Sequence, residues 1–237
     1  MYNEERILRK SVLEVCSSAA QAFEKFEIVI VDDSSKDRSG EIGKKLEKSN
    51  KRVRYMRFEN GPSRRENLAL ALARGKGDII IFSDTDLAAD ISALTKLAGA
   101  VRAGYDVAVG SRYIRGSKTV RKPFRRVVSF FYNSFINLYF GSKIRDHNCG
   151  FKAFRREAII KLVRAAGYDK SFRRGWFWDA EILIMAQRMD YRIKEVPVNW
   201  KEGKKSTFSL IRELRMLPYM IKLKKRLPKK SGQKGDI

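Results

Sequence analysis

The sequence predicts an α/β fold with a mostly parallel sheet that is flanked by helices. Two apolar runs, residues 26–31 and 79–82, each end directly on acidic residues. Runs of this kind, rich in β-branched residues, are typical of strands buried on both faces of a parallel sheet. The chain between them alternates helical and strand patterns, which indicates βαβ units. Because ligands bind at the carboxyl ends of strands in open α/β sheets, the two acidic ends mark a candidate site.

The elements between the two runs follow in a regular order. Residues 38–50 carry apolar side chains at helical spacing, residues 53–58 alternate as a strand does, and residues 66–74 are rich in Ala and Leu. Gly75 and Gly77 then end the last of these segments, because glycine is common just after a helix. The second acidic strand follows directly, as expected for a βαβ unit.

The second strand ends in Asp84-Thr85-Asp86, which places two carboxylates one residue apart. Carboxylate oxygens are hard ligands for Mg²⁺ or Mn²⁺, and an ion held by them can bind the diphosphate of a nucleotide. The plainer interpretation is a pair of solvated acids, with Asp90 capping the next helix. The first strand also ends in an acidic pair, Asp32-Asp33, so two strands of the predicted sheet end in acids.

A set of short motifs resembles, in the same order, the motifs of family 2 glycosyltransferases with the GT-A fold. These motifs are Tyr2-Asn3-Glu4-Glu5, Val31-Asp32-Asp33-Ser34-Ser35-Lys36-Asp37, Gly77-Asp78, Asp84-Thr85-Asp86-Leu87 and Gly110-Ser111-Arg112. Later motifs resemble the branch that makes dolichyl- or polyprenyl-phosphate sugars. They are Asp146-His147-Asn148-Cys149-Gly150-Phe151-Lys152, Trp178-Asp179-Ala180-Glu181 and Glu195-Val196-Pro197-Val198-Asn199-Trp200. Two elements within them, Cys149-Gly150-Phe151-Lys152 and Pro197-Val198-Asn199-Trp200, lean toward the glucosyltransferases rather than the mannose synthases.

The resemblance implies a GT-A catalytic domain over residues 1–207 that performs an inverting hexose transfer. The implied donor is UDP-glucose or GDP-mannose, and the implied acceptor is a dolichyl or polyprenyl monophosphate. Asp84 and Asp86 would hold Mg²⁺ or Mn²⁺, and Asp33 would recognise the base. The implied nucleotide-sugar-binding residues are Tyr2, Asn3, Glu4, Asp32, Asp33, Asp84, Lys204 and Lys205.

A phosphate acceptor makes a different demand on the protein from a sugar hydroxyl. A hydroxyl needs a general base, whereas a lipid monophosphate, with a second pKa near ~6, arrives as a nucleophilic dianion and needs a cationic pocket. Guanidinium and hydroxyl donors suit such a pocket. We expect the acceptor phosphate at Arg112, Arg125, Arg126 and Ser129, with Arg112 and Arg125 catalytic alongside Asp84 and Asp86. Asp146, Asp179 and Glu181 are expected to order the acceptor loop or contact the sugar, unless they cap helices. A glycosyltransferase with a sugar-hydroxyl acceptor is the alternative.

The chain is strongly basic, with 51 Lys and Arg against 27 Asp and Glu and a formal charge of +24, and it must attract polyanions. Basic residues lead into an aromatic-rich segment at about 121–141, which favours a membrane-docking helix over a buried core helix. Residues 208–237 predict a basic amphipathic helix, kinked at Pro218, and a disordered tail from Lys229. No stretch approaches ~20 apolar residues, so we expect a peripheral protein at an anionic, cytoplasmic membrane face.

A nucleic-acid-binding protein is the alternative from another class. The basic residues flank apolar and aromatic helices, and no zinc-knuckle, RNP-like or helix-turn-helix pattern occurs, so we expect no nucleic-acid partner. Cys16 and Cys149 are too sparse for a disulfide framework and fit a reducing setting. His147 with Cys149 alone favours a structural loop over a metal site. The sequence leaves the oligomeric state open.

The sequence departs from the family pattern at two places. Family members begin with an apolar strand before the Tyr-Asn-Glu turn, whereas this sequence opens at Met1. A missing central strand would expose the edges of its neighbours, so we expect an in-frame strand of ~5 to 6 residues upstream. The second departure is Ser34, which stands where the family has Gly, so a residue with a side chain must form that turn.

Overall fold

The computed structural model describes residues 1–59, 61, 65–167, 174–175, 177–201 and 216–227. Within them the helices are α1 Leu8–Ala22, α2 Ser39–Ser49, α3 Arg65–Ala73, α4 Ala93–Arg102, α5 Pro123–Phe140, α6 Arg156–Ala166, α7 Phe177–Arg188 and α8 Leu217–Arg226. The strands are β1 Ile28–Asp32, β2 Val53–Arg57, β3 Ile79–Phe82, β4 Val107–Ser111, β5 Thr119–Val120, β6 Lys152–Arg155, β7 Ile193–Pro197 and β8 Trp200–Lys201.

The strands form one mixed sheet of four strands and two smaller parallel pairs. The four strands lie in the order β3-β6-β4-β7, and the pairs are β1-β2 and β5-β8. The α/β fold is confirmed, and β4 pairs with β7 in parallel as predicted for most of the sheet. Strand β6 differs, because it runs antiparallel between β3 and β4. Because β6 runs opposite to β3, the loop that precedes β6, residues 146–151, lies at the carboxyl end of β3.

Strands β1 and β3 each have one open edge among the described residues, since no ladder joins the two sheets there. The backbone of Met1 lies on the open edge of β1: its amino group donates to the Val31 carbonyl at 2.6 Å, and it accepts from the Asp33 N–H at 2.9 Å. This pattern is that of a neighbouring parallel strand. The expected burial of both faces is incomplete in β1 and β3, where Ile28, Val29, Val31, Ile79 and Ile81 are only partly buried.

The core lies on both faces of the four-stranded sheet. Val107 and Val109 of β4 face the cluster around Trp178, which α6 and α7 cover, whereas Ala108 faces the cluster around Leu97 of α4. This alternation follows from the two-residue period of a strand. These layers cover the sheet on both faces, with β6 between β3 and β4.

Helices α5 and α8 pack on α7 through a separate apolar cluster. Ile136 and Phe140 of α5 contact this cluster together with Tyr219 and Leu223 of α8. Pro218 lies in the first turn of α8, where a missing N–H breaks no hydrogen bond, so the predicted kink is not seen within this helix. The rest of the predicted tail helix, and the tail from residue 229, lie outside the described residues.

Candidate active site

The acids that end β1 and β3 lie at the same edge of the molecule. Asp33 follows β1, and Asp84 and Asp86 follow β3. The Asp86 carboxylate accepts a hydrogen bond from the Ala88 N–H at 3.1 Å, which shapes the turn after the strand. Asp86 is exposed, and the Asp84 side chain keeps 40% of its surface. Both carboxylates are therefore open to a ligand.

The loop before β6 passes directly against Asp84. A Cβ atom added to Gly150 would clash with the carboxylate of Asp84, so a larger residue here would require the Asp84 side chain to move. Gly150 belongs to the Cys149-Gly150-Phe151-Lys152 segment, whose main chain passes the Asp84 carboxylate at this glycine. This contact explains why a loop so far along the chain belongs to the same site.

A chain of alternating charges connects β6 to Asp84. Lys152, which is buried, donates from Nζ to Asp179 Oδ1 at 2.9 Å. Nη2 of Arg65 lies 3.3 Å from the other oxygen of Asp179 and 3.7 Å from Oδ1 of Asp84. Although the Asp84 side chain keeps part of its surface, the residues packed around its carboxylate remove enough water to raise its pKa, and the negative charges of Asp179 and Asp86 oppose the charge of Arg65. A cation that approaches Asp84 would therefore relieve unfavourable charge.

The first turn of α3 reaches two parts of the site. Arg65 lies between Asp84 and Asp179, while Asn67 donates from Nδ2 to Asp33 Oδ1 at 2.8 Å. Burial raises the pKa of Asp33, although the Asn67 hydrogen bond opposes this shift. Sequence reasoning missed Arg65 and Asn67, and their position in the first turn of the helix after a glycine was the available signal.

The residues present fit a divalent ion that takes most of its ligands from a substrate. Among the residues that the structure describes, no group of three or more His, Cys, Asp or Glu side chains could enclose a metal. Mg²⁺ is usually bound by one or two carboxylates together with substrate phosphates and waters. Asp84 and Asp86 would supply that pair.

The turn between β1 and α2 is held to the amino-terminal residues. Ser34 has a φ of 65°, so the serine adopts the left-handed conformation expected where the family has glycine. The Asn3 side chain accepts from the Lys36 N–H at 2.8 Å, and Ser39 Oγ accepts from the Glu4 N–H at 2.8 Å. Asn3 and Glu4 thus lie against the segment that follows Asp33, and Tyr2, which precedes them in the chain, is half-buried.

The position of the Asp32 side chain does not fit the predicted contact of this residue with the nucleoside. Its side chain is fully buried and accepts hydrogen bonds from the Tyr55 hydroxyl, from Arg57 at 3.2 Å and from the Ser35 N–H at 2.9 Å. Burial alone would raise the pKa of Asp32, but these donors lower it. Adjacent residues of a strand point to opposite faces, so Asp32 stabilises the turn while Asp33 faces the site.

Arg112, which was predicted to contact the acceptor phosphate, contacts protein groups in the structure. It is 7% exposed, and its Nε and Nη2 donate to the two carboxylate oxygens of Asp146, each at 2.7 Å. The guanidinium lies 4.7 Å from the centre of the Trp200 ring. Burial would raise the pKa of Asp146, but the Arg112 charge lowers it. In this structure the pair braces the loop at 146–150 instead of facing an acceptor.

The other predicted acceptor residues lie on the first two turns of α5. Ser129 Oγ accepts from Nη1 of Arg121 at 2.7 Å, and the same nitrogen lies 3.3 Å from the Tyr113 hydroxyl. Arg125 is half-buried one turn before Ser129, and Arg126 is exposed. Sequence reasoning missed Arg121 and Tyr113 as members of this group. Lys204 and Lys205 lie outside the described residues.

Glu181 and His147 do not face the site. Glu181 is fully buried and bonds to Arg174 and Tyr219, so the expected sugar contact is contradicted for this acid. His147 is held by Asn133 at Nδ1 and by Ser142 at Nε2, each at 2.8 Å, as expected for a structural residue. Burial lowers the pKa of His147 to about 4. Cys149 is buried and Cys16 is partly buried, and both are free thiols.

Comparison with known protein families and relatives gives a consistent assignment. The family model described as glycosyl transferase family 2 matches residues 1–163. Glycosyltransferase AglD of Haloferax volcanii is 36% identical over 217 residues, which is 90% of this chain and 34% of the relative. A dolichyl-phosphate beta-glucosyltransferase of Saccharomyces cerevisiae is 29% identical over 212 residues, 78% of this chain and 60% of the relative. The chain thus spans about a third of the first relative and three fifths of the second.

A solved structure shares the fold. Glucosyl-3-phosphoglycerate synthase from Mycobacterium tuberculosis, in complex with Mn²⁺, UDP and phosphoglyceric acid, superposes with a TM-score of 0.65 at 18% identity. The match covers 97% of this chain and 77% of that one. The chain therefore has the fold of the GT-A enzymes.

Proposed function

This chain belongs to glycosyltransferase family 2, and from that premise we propose that it moves a hexose from a nucleotide sugar to a dolichyl or polyprenyl monophosphate. The reaction inverts the anomeric carbon by direct displacement. The choice of acceptor rests on one observation, the two ion pairs of Asp179. Both of its oxygens are engaged, one by Lys152 at 2.9 Å and the other by Arg65 at 3.3 Å.

A sugar-hydroxyl acceptor would need a free, positioned base, because a hydroxyl is barely ionised at neutral pH. Asp179 is the acid beside Asp84 that could serve, and two cations hold it as an ion-paired carboxylate. Asp86 is exposed and fits the metal role. A phosphate monoester needs no base, since its second pKa is near ~6. The site is thus better suited to a phosphate nucleophile.

The amino-terminal half of α5 supports a phosphate on the acceptor side. Arg121 brings its guanidinium to the hydroxyls of Tyr113 and Ser129, and Arg125 lies one turn away. Guanidinium and hydroxyl donors form charge-assisted hydrogen bonds with phosphate oxygens. Arg112 acts behind this group by holding Asp146 and the loop at 146–150.

On the donor side, Asp33 and Asn67 would bind the base, and Asp84 and Asp86 would hold Mg²⁺ or Mn²⁺. The ion, when bound, neutralises charge that grows on the departing diphosphate. Arg65 lies close enough to Asp84 to add a second positive charge there. The name of the Saccharomyces relative favours glucose over mannose, so UDP-glucose is the first donor to test.

The enzyme would work at an anionic membrane surface, at its cytoplasmic face. We define the docking face as the exposed apolar residues of α5 and α8, namely Phe124, Val127, Phe130, Phe131 and Leu138 with Leu217 and Ile221. Phe130 and Phe131 are each 66% exposed and Leu138 is 89% exposed. Basic residues on the same helices suit lipid headgroups. No helix in the described part of the chain is long and apolar enough to cross a bilayer.

The deciding experiment compares two acceptors that differ only in the phosphate. Purified protein with Mn²⁺ is mixed with radiolabelled UDP-glucose, or with radiolabelled GDP-mannose, and with vesicles that contain dolichyl phosphate or dolichol. Label should enter the organic phase with dolichyl phosphate alone, and only for one donor. Equal transfer to dolichol would overturn the choice of acceptor. Tight RNA binding with no transfer from either donor would favour the nucleic-acid class.

A further inference from the structure

An arginine that no part of the proposed chemistry uses lies fully buried behind the site. Arg174 is 0% exposed in its side chain and donates from Nε to Glu66 at 3.0 Å and from Nη1 to Glu181 at 3.2 Å. The same Nη1 also lies 3.2 Å from the Ala166 carbonyl and 3.4 Å from the Tyr219 hydroxyl, and Nη2 donates to the Gly167 carbonyl at 2.6 Å. Tyr219 in turn donates to Glu181 at 2.8 Å.

The two acids of this cluster are sequence neighbours of donor-site residues. Glu66 lies between Arg65, which contacts Asp84 and Asp179, and Asn67, which holds Asp33. Glu181 follows Asp179 by two residues in the first turns of α7. Arg174 therefore joins, from behind, the two helix starts that place side chains on the donor site.

The third connection runs to α8. Tyr219 is 1% exposed and faces the cluster, whereas Leu217 and Ile221 on either side of it belong to the docking face. Arg226, at the other end of α8, donates to Glu181 at 3.2 Å. The helix that carries part of the docking face is thus attached to both donor-site helices through one guanidinium.

A buried ion cluster is weak evidence for stability, because removing charges from water offsets much of their attraction. What such a cluster does supply is fixed geometry, since a guanidinium presents its donors in a rigid plane. We propose that Arg174 is a positioning residue for the nucleotide-sugar site, and that Tyr219 of α8 completes it. This inference rests on the proposed function, because it takes the first turns of α3 and α7 as parts of a donor site.

The test uses the full chain and substitutions that keep its packing. Tyr219→Phe removes one hydroxyl, and Arg174→Lys keeps the charge but loses the planar set of donors. Tyr139→Phe is the matched control, because Tyr139 lies at the contact of α5 and α8, with its ring 4.1 Å from Lys224 Nζ. The dissociation constants of UDP-glucose and GDP-mannose are measured by calorimetry with Mn²⁺, together with Tm.

We expect Tyr219→Phe and Arg174→Lys to raise the dissociation constant of the preferred donor by about fivefold or more, the lower end of coupling between linked sites. Tyr139→Phe should leave it unchanged. Unchanged donor binding with a lower Tm would overturn the inference, because the cluster would then act only on stability. If Arg174→Lys does not fold, Tyr219→Phe decides alone. A wild-type protein that binds neither donor would instead overturn the proposed function, and this inference with it.

Discussion

The proposed donor side and the proposed docking side of this molecule use charged and aromatic residues in opposite ways. On the donor side, Asp32, Asp146 and Lys152 are fully buried, and each is paired with a group from a distant part of the chain. On the docking side, Phe130, Phe131 and Leu138 are mostly exposed beside basic residues. The donor side is therefore built before any ligand arrives, whereas the docking side lacks an apolar partner within the described chain.

This difference has a physical reason. Small, highly charged donors are bound best by side chains whose positions are already set, because little reorganisation is then needed when charge develops. A fluid lipid surface offers no fixed partner, so exposed apolar area and net charge serve it better than exact geometry. Substitutions on each side of the molecule test this contrast.

Asp86→Asn should lower kcat/KM by roughly a thousandfold, the scale of the several kcal/mol that a bound metal supplies. The amide keeps the shape of the side chain but loses the charge that retains the ion. Asp90→Asn, at an exposed carboxylate that bonds to the Ser92 N–H, is the control and should keep full activity. A chelator should mimic Asp86→Asn. Near-normal rates with unchanged Mn²⁺ dependence would show that the metal lies elsewhere.

Arg112→Ala should lower the free energy of unfolding by about 3–5 kcal/mol, because it leaves Asp146 buried without its counter-charge. Arg126→Ala removes an exposed arginine and should change stability by less than ~0.5 kcal/mol. Denaturant titration followed by circular dichroism measures both. An unchanged stability with a selective loss of acceptor use would restore Arg112 to the predicted phosphate contact.

His147 lies between the docking helix and the donor side, since its ring bonds to Asn133 of α5 and the residue before it is Asp146. Burial lowers its pKa from 6.5 to about 4, with Asp146 opposing this shift and Lys152 adding to it. The neutral ring thus contributes stability that is present above pH 6.5 and lost as the pH falls toward 4. The advantage of the wild type over His147→Gln should shrink by about 3 kcal/mol between pH 7 and pH 4.

His147 is the single histidine of the chain, so no other imidazole confuses that measurement. Urea titrations at a series of pH values give the two free energies of unfolding. A difference that stays constant over this range would mean that folding does not lower the pKa of the ring.

Arg125→Ala should raise KM for dolichyl phosphate roughly ten- to a hundredfold, which corresponds to the loss of one charge-assisted hydrogen bond. Donor binding should not change. Lys118→Ala, at another exposed cation ahead of α5, is the control and should have little effect. Initial rates at varied acceptor and varied donor separate the two constants. Equal losses for donor and acceptor would remove Arg125 from an acceptor-specific role.

Phe131→Ser should weaken binding to vesicles that contain phosphatidylserine by about 1 kcal/mol, or roughly fivefold, since part of a phenyl ring leaves the apolar boundary. Leu13→Ser is the matched control, because Leu13 is 50% exposed on α1, outside the docking face. Co-sedimentation measures both. Equal binding by the two variants would show that the lipid meets another surface.

Much of the site could be predicted because it depends on local pattern. Strands followed by Asp33, Asp84 and Asp86 are predicted by apolar runs that end on acidic residues, and helix α5 is predicted by the aromatic-rich segment at about 121–141. The positive φ of Ser34 also follows from the turn that its neighbours require. Each of these features depends on residues close together in the chain, so the amino-acid order alone carries the information.

The remaining features were decided by packing. Asp32 and Asp33 are adjacent, and only the sheet decides which of them faces the site. The ion pair of Arg112 with Asp146 joins residues 34 positions apart, and that of Glu66 with Arg174 joins residues 108 positions apart. No local pattern encodes such a pair. Its energy depends on how deeply both charges are buried and on whether each finds hydrogen-bond partners there. The sequence by itself thus determined which groups are available, and the tertiary structure decided which of them face the ligand and which hold the others in place.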